Sequence, residues 1–310
     1  MKNTNPSILQ MIRAPFLSSI IAPLVTGTLL SVKITGIFNI PEFILVLISG
    51  LGLHIATNVY NDIYDTIQGT DRVNVHRNEY SGGSGVLLDK PELMEKMYFL
   101  ARTGLVIALV STLGLMFFIS KVLWIYLWGL YFLSAFFSKF YTAAPVKLAY
   151  RGLGEVSVWF AFGPMAVTIA AISQGLFPDM HILLLMPLSG FSTLSILLIG
   201  QLIDIEADIK GGKHGVASRL GTRPTSIIYV LVQIAIVINT IALFFLFQGN
   251  ALPLLLCLVP YVLIFPRAGI SVIKHHDNPD ELKKVAGMTV KIHLLFSILL
   301  IVGLIIYLVI

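Results

Sequence analysis

Two short stretches of the chain place carboxylates at helical spacing. The first reads Asn58-Val-Tyr-Asn61-Asp62-Ile-Tyr-Asp65-Thr-Ile-Gln-Gly69-Thr-Asp71. On an α-helix Asn61 and Asp65 lie one turn apart and Asp62 and Asp65 lie three positions apart, so the group shares a face. Gly69 is a natural helix stop, after which the chain can turn Asp71 back toward that face. Three carboxylates and an amide at one helix end form the hard-oxygen donor set that Mg²⁺ prefers. The second stretch reads Gln201-Leu-Ile-Asp204-Ile-Glu206-Ala-Asp208-Ile-Lys210-Gly211-Gly212-Lys213. Asp204 and Asp208 face together and Glu206 points away, while Lys210, Lys213, Arg219 and Arg223 follow closely. Carboxylates interleaved with cations suit a metal-bound diphosphate, with carboxylates holding the metal and Lys or Arg holding the leaving oxygens.

A third stretch, Tyr141-Thr-Ala-Ala-Pro145-Val-Lys147-Leu-Ala-Tyr150-Arg151-Gly152-Leu-Gly154-Glu155, adds Lys147 and Arg151 for phosphate oxygens. It also adds Tyr141 and Tyr150, whose rings can face a cation. The loop Ser81-Gly82-Gly83-Ser84-Gly85 either presents backbone N–H groups to an anion or is a flexible connection. His275 and His276 are adjacent but have no third ligand nearby, so a zinc site is not expected there.

These residues need elements to position them, and the composition says which. Of 310 residues, 56% are hydrophobic and 12% charged, and the mean hydropathy is +0.88. A soluble domain of that length needs more charge to cover its surface, so the chain is expected to be an all-α, polytopic membrane protein. A spanning helix takes about 20 apolar residues. Nine stretches qualify, near 14–32, 41–61, 97–119, 121–139, 153–174, 180–203, 225–247, 251–273 and 287–310. Lys2 and Arg13 precede the first, which has no convincing cleavage site at its end and reads as a membrane helix. Prolines 23, 164, 187, 253, 260 and 266 fall in or near spans and are expected to kink them.

The connections alternate. Those after the first, third, fifth and seventh spans are short and almost uncharged, and the others hold nearly all ionisable groups. On this reading 19 of the 21 Lys and Arg residues lie on one side, with Lys33 and Lys121 opposite. Positive residues mark the cytoplasmic face, which puts the N-terminus and both acidic clusters inside and the C-terminus outside a plasma or inner membrane. The clusters end the second and sixth spans, which suggests two four-helix units plus a ninth helix around a central cavity, within a single domain of 1–310. A net charge of +5 is small for this length, so nucleic acid is not an expected partner, whereas membrane lipid is. Cys257 is the lone cysteine, in an apolar run, and reads as a small hydrophobe.

The two acidic motifs resemble those of the UbiA superfamily of intramembrane prenyltransferases, in the detail of its 1,4-dihydroxy-2-naphthoate polyprenyltransferase branch. The likeness extends to Gly69-Thr-Asp71, Ser81 to Val86, Tyr141 to Glu155, and Gly212-Lys213 with Arg219-Leu-Gly221. It implies Mg²⁺-dependent transfer of a polyprenyl chain from its diphosphate to an aromatic acceptor. The implied metal ligands are Asp62, Asp65, Asp71, Asp204 and Asp208. The implied catalytic set is Asp62, Asp65, Asp204, Asp208 and Tyr141, with Tyr141 facing a developing carbocation. Asn61, Arg72, Lys147, Arg151, Lys210 and Lys213 would bind substrate. The branch usually has Asn and Arg where this chain has Gly200 and Ile203, with Gln201 the nearest polar substitute, and His214 and Gly215 displace a usual Thr. Two other readings stay open: a cyclase of the same fold acting on the prenyl diphosphate alone, and an ion-coupled transporter, whose charges belong nearer the bilayer midplane.

Overall fold

The computed structural model describes residues 6–247 and 251–310, and Lys2 lies outside them. Among the described residues nine helices are long and apolar enough to cross a membrane. They are α1 (Ala14–Thr35), α2 (Ile40–Gln68), α3 (Pro91–Leu115), α4 (Lys121–Phe140), α5 (Gly154–Ser173), α6 (Met180–Ile203), α7 (Thr222–Leu246), α8 (Leu252–Lys274) and α9 (Pro279–Val309). Boundaries differ from expectation where helix outlasts the apolar run. The end of α2 carries the whole first motif to Gln68 and stops at Gly69, whose φ of 87° no ordinary side chain adopts comfortably. The charged turn before the ninth apolar run is also helical, because the Asn278 side chain accepts from Asp280 N–H and Glu281 N–H and caps it.

Prolines act at three places in different ways. Pro23 and Pro187 sit inside continuous helices. In α5 the turn Ala161–Met165 around Pro164 widens to a π-helix, which takes up the lost N–H within the helix. In α8 the prolines divide the span into Leu252–Leu258, Val259–Leu263 and Phe265–Lys274.

Packing between helices in lipid rests on close contact rather than on water exclusion. Gly52 of α2 and Gly104 of α3 show this: a Cβ on either would stand 2.5 Å from the other's carbonyl oxygen. Several buried hydroxyls are satisfied within their own helices, as Thr26 donates to Ala22 O, Ser31 to Gly27 O, and Thr289 to Val285 O. The outer surface is apolar, with Phe117, Val122, Ile125 and Val262 exposed, as a lipid solvent requires. Contacts cross the boundary between the two four-helix units envisaged from sequence. Helix α1 packs on α5, α6 and α9 as well as α2, and His293 of α9 hydrogen-bonds Ser19 of α1 and Ser192 of α6. Helices α1, α2, α5 and α6 thereby wall a shared central cavity.

Candidate active site

The cavity, about 220 Å³, is lined at one end by Asp65, Asp71, Asp204 and Asp208. Asp62 sits behind Gly83, where a Cβ would stand 3.1 Å from Asp62 Oδ1 and 3.0 Å from Asp71 Oδ2. With φ at 74°, glycine suits that position twice over: in backbone conformation, and in letting the loop lie against two carboxylates. The loop does bind an anion, but the anion is the protein's own. Ser84 N–H donates to both oxygens of Asp62 at 3.3 Å, and the Arg13 guanidinium stands 3.8 Å away.

The clusters are oriented by each other's loops. Asn74, just past the first motif, donates to Asp204 Oδ1 at 2.9 Å. Lys213, just past the second, donates to Asp65 Oδ2 at 2.6 Å and stands 4.0 Å from Asp208 Oδ1. Tyr150 completes Asp65 by donating to Oδ1 at 2.7 Å, with Thr70 Oγ1 at 2.8 Å from the same phenol. The Tyr150 ring also lies 5.4 Å from the ammonium nitrogens of both Lys147 and Lys213. Helix α6 ends at Ile203, yet Asp208 N–H still reaches Asp204 O at 2.9 Å, so the one-turn spacing survives into the short helix Ile205–Lys210. Gly212 then reverses the chain with φ 75°, and Lys213 N–H returns to Asp208 O.

Burial dominates the electrostatics. It pushes Asp71 up to about 8, with the neighbouring Asp65 carboxylate adding to the shift, and Asp208 up to about 7. Asp204 moves the same way for the same cause, against the hydrogen bond from Asn74. Burial alone would lower Lys213, but the Asp65 and Asp208 carboxylates hold it well above its ordinary value. Arg13 and Lys213 are the Lys and Arg side chains on the cavity walls, set against four lining carboxylates, with Asp62 behind them. Among the described residues no three His, Cys, Asp or Glu side chains converge into a closed metal shell. In donor type and in surplus negative charge the group nevertheless fits a hard divalent cation such as Mg²⁺.

Of the residues expected to bind substrate, Asn61 and Lys213 line the cavity and Arg72, Lys147, Arg151 and Lys210 do not. Lys210 is 61% exposed and pairs with Glu206 at 3.9 Å, because one helical turn places both on the outer face. Arg151 is exposed and donates to Pro145 O, Arg72 is exposed on the turn after Gly69, and Lys147 lies over Tyr150. Tyr141 lines the cavity, and burial raises its phenol. Sequence reasoning passed over Arg13, Asn74 and His54. Arg13 had a signal, as the basic residue immediately before the first span, but the others meet their neighbours only through the fold. The departure at the second motif also has a visible consequence. Gln201 donates to Glu155 Oε1 at 2.8 Å, and Val216 N–H donates to the same oxygen at 2.6 Å. The substitute amide therefore ties α6 to α5 and to the Lys213 loop.

The cavity also continues into an apolar chamber of about 90 Å³ between α1, α2, α4 and α5, sharing His54, Thr57, Tyr141, Val158 and Phe162 with it. A charged mouth, a buried polar chamber and an apolar extension within a helical bundle have the shape and polarity to take an amphiphilic molecule. Residues 99–295 match the UbiA prenyltransferase family, and the chain belongs to that family. It is therefore a prenyltransferase, an enzyme that transfers an alkyl group. The 2-carboxy-1,4-naphthoquinone phytyltransferase of Synechocystis sp. is 25% identical over 300 residues, covering 95% of this chain and 92% of the relative. The 1,4-dihydroxy-2-naphthoate octaprenyltransferase of Mycobacterium leprae is 28% identical over 200 residues, covering 64% and 65%. Among solved structures, a UbiA homolog from Archaeoglobus fulgidus aligns with TM-score 0.62 at 15% identity, over 97% of this chain and 99% of that one. The same homolog bound to DMAPP and Mg²⁺ aligns at 0.58 and 14% identity, over 94% and 98%.

Proposed function

We propose that this enzyme transfers a polyprenyl group from polyprenyl diphosphate to an aromatic quinone precursor, with 1,4-dihydroxy-2-naphthoate the best-supported acceptor. The observation that carries the proposal is the mutual bracing of the two acidic clusters at the head of a cavity that opens into an apolar chamber. The naphthoate-directed relatives support the acceptor, and the homolog bound to DMAPP and Mg²⁺ supports the donor and the metal.

Asp62, Asp65, Asp71, Asp204 and Asp208 would hold Mg²⁺, whose chemistry here is to neutralise the diphosphate so that it can leave. Lys213 and Arg13 add positive charge at the same end, and Asn61 supplies an amide. The allylic C–O bond breaks with its electron pair going to the diphosphate. The apolar walls keep water from the carbocation, and the Tyr141 ring lies where it can stabilise that charge. An electron-rich ring carbon then forms the new C–C bond, and loss of CO₂ or of a proton restores aromaticity. The prenyl tail occupies the apolar chamber and continues between helices into the bilayer. The clusters face the cytoplasm in the cell membrane, with the C-terminus outside, following the lysine and arginine asymmetry. The test is prenyl transfer in membranes supplied with labelled prenyl diphosphate and 1,4-dihydroxy-2-naphthoate. Transfer lost in Asp65→Ala and Asp204→Ala is expected, and undiminished transfer would overturn the proposal.

A further inference from the structure

The loop that carries Lys213 into the cavity runs into a short helix, Val216–Leu220, whose first N–H groups need partners from elsewhere. Gly215 precedes that helix and has no side chain with which to cap it. Two neighbouring helices supply the cap. Glu155 of α5 accepts from Val216 N–H through Oε1 at 2.6 Å, and Gln201 of α6 accepts from Ala217 N–H through its own Oε1 at 3.4 Å. Gln201 Nε2 donates to the same Glu155 oxygen at 2.8 Å, which joins the two side chains into one unit. Both are buried.

The fit is close. A Cβ at position 215 would stand 2.6 Å from Gln201 Nε2 and 2.8 Å from Gln201 Cδ, so the amide lies where a glycine leaves it room. From this cap the restraint passes back to Lys213 through Ser218, whose hydroxyl donates to Lys213 O at 2.8 Å and to Gly215 O at 3.0 Å. On its other side Lys213 is held by its own N–H on Asp208 O at 2.8 Å. Its ammonium then ends 2.6 Å from Asp65 Oδ2 and 4.0 Å from Asp208 Oδ1. A lysine has four side-chain torsions to order, and a fixed backbone at its root lowers the cost of holding that end point.

We infer that Glu155 and Gln201 are positioning residues: by capping the helix at 216–220 they set the place where the Lys213 ammonium meets the leaving diphosphate. This rests on the transfer reaction proposed above. Glu155 is not part of the cavity wall, so its influence on the reaction passes through what it holds. Lys213 also has few substitutes. Ile203 is apolar, and the other cation on the walls, Arg13, stands beside Asp62 of the first cluster. Gln201 thereby acquires a task of its own at the second motif, as the group that fastens the loop of the remaining cation.

The experiment uses purified full-length protein in lipid nanodiscs with Mg²⁺, geranylgeranyl diphosphate and 1,4-dihydroxy-2-naphthoate. Gln201→Met, Glu155→Leu and Glu155→Gln are each made alone and together with Lys213→Met. Gln201→Met and Glu155→Leu are expected to lower kcat by about ten-fold, the scale of a group displaced by part of an ångström, and to leave KM for the naphthoate within about two-fold. Glu155→Gln keeps the accepting oxygen and is expected to recover most of the loss. On the Lys213→Met background the same changes should alter kcat by less than about two-fold, because the group they position is gone. Wild-type kcat in both single variants, or a ten-fold loss that persists without Lys213, would overturn the inference while the transfer reaction stands. Melting midpoints identify a variant that fails to fold, and the cycle between Gln201→Met and Lys213→Met then decides. If the wild type does not prenylate the naphthoate, the proposed acceptor falls. The same cycle read as Mg²⁺-dependent affinity for geranylgeranyl diphosphate then tests the positioning by itself: weaker binding in Gln201→Met that vanishes on the Lys213→Met background supports it, and an undiminished or additive effect overturns it.

Discussion

The acidic clusters at the ends of α2 and α6 have matching residue types but are built differently. In the first, Asn61, Asp62 and Asp65 lie on uninterrupted helix and Asp71 on the turn after it, and the central carboxylate, Asp65, has both oxygens bonded by Tyr150 and Lys213. The second straddles a helix break at Asp204, which accepts from Asn74 at 2.9 Å and is also bonded by the Ser81 side chain and the Gly82 backbone, while Asp208 stands 4.0 Å from Lys213. The Lys213 ammonium touches both clusters, whereas Asn74 connects the first loop only to Asp204. Carboxylates on a continuous helix thus face carboxylates across a helix break, braced by groups exchanged between their loops.

The sharpest way to break this comparison is to remove one carboxylate from each side. Asp65→Ala and Asp204→Ala are each expected to lower transfer by about 10³-fold or more, since leaving-group stabilisation is lost whichever half is cut. A labelled-substrate assay in membranes reads the result, and a large effect on one side alone would mean that the halves work separately. Removing divalent cations with EDTA should produce a loss of similar size, restored by added Mg²⁺.

The bridging lysine comes next. Lys213→Met is expected to reduce kcat by about 10²-fold, because a charge at the leaving oxygens is lost. Its neighbour Lys210 is the control: Lys210→Met should change kcat by less than about two-fold, as expected of an exposed ion pair. Equal effects would contradict the placement of these two side chains. The smallest expected effect is at Asn74. Asn74→Ala should cost about ten-fold in Mg²⁺ affinity, measured by metal titration of activity, because it removes an orienting group rather than a ligand.

Those lysines also show how far the sequence was legible. Nine apolar runs, the Gly69 stop and the outward direction of Glu206 follow from local rules of length, spacing and glycine conformation, and the fold has them. Lys210 and Lys213 looked equivalent, since both follow the second motif. The turn at Gly211 and Gly212 separates them, sending Lys213 into the cavity and leaving Lys210 on the surface. Arg72, Lys147 and Arg151 were grouped by charge and sequence proximity, which do not reveal which way a loop side chain turns. Asn74 and Asp204 are 130 residues apart, and no local pattern announces such a pair. Membrane packing compounds this, because an apolar surface selects its neighbours by shape, as Gly52 and Gly104 do.

The central claim is that the two clusters make one metal–diphosphate site. The direct measurement is Mg²⁺-dependent binding of a prenyl diphosphate to purified wild type, Asp65→Asn and Asp204→Asn by isothermal titration calorimetry. The account predicts one binding event in the wild type that either substitution abolishes. Retention of that event at wild-type affinity in either variant would contradict it.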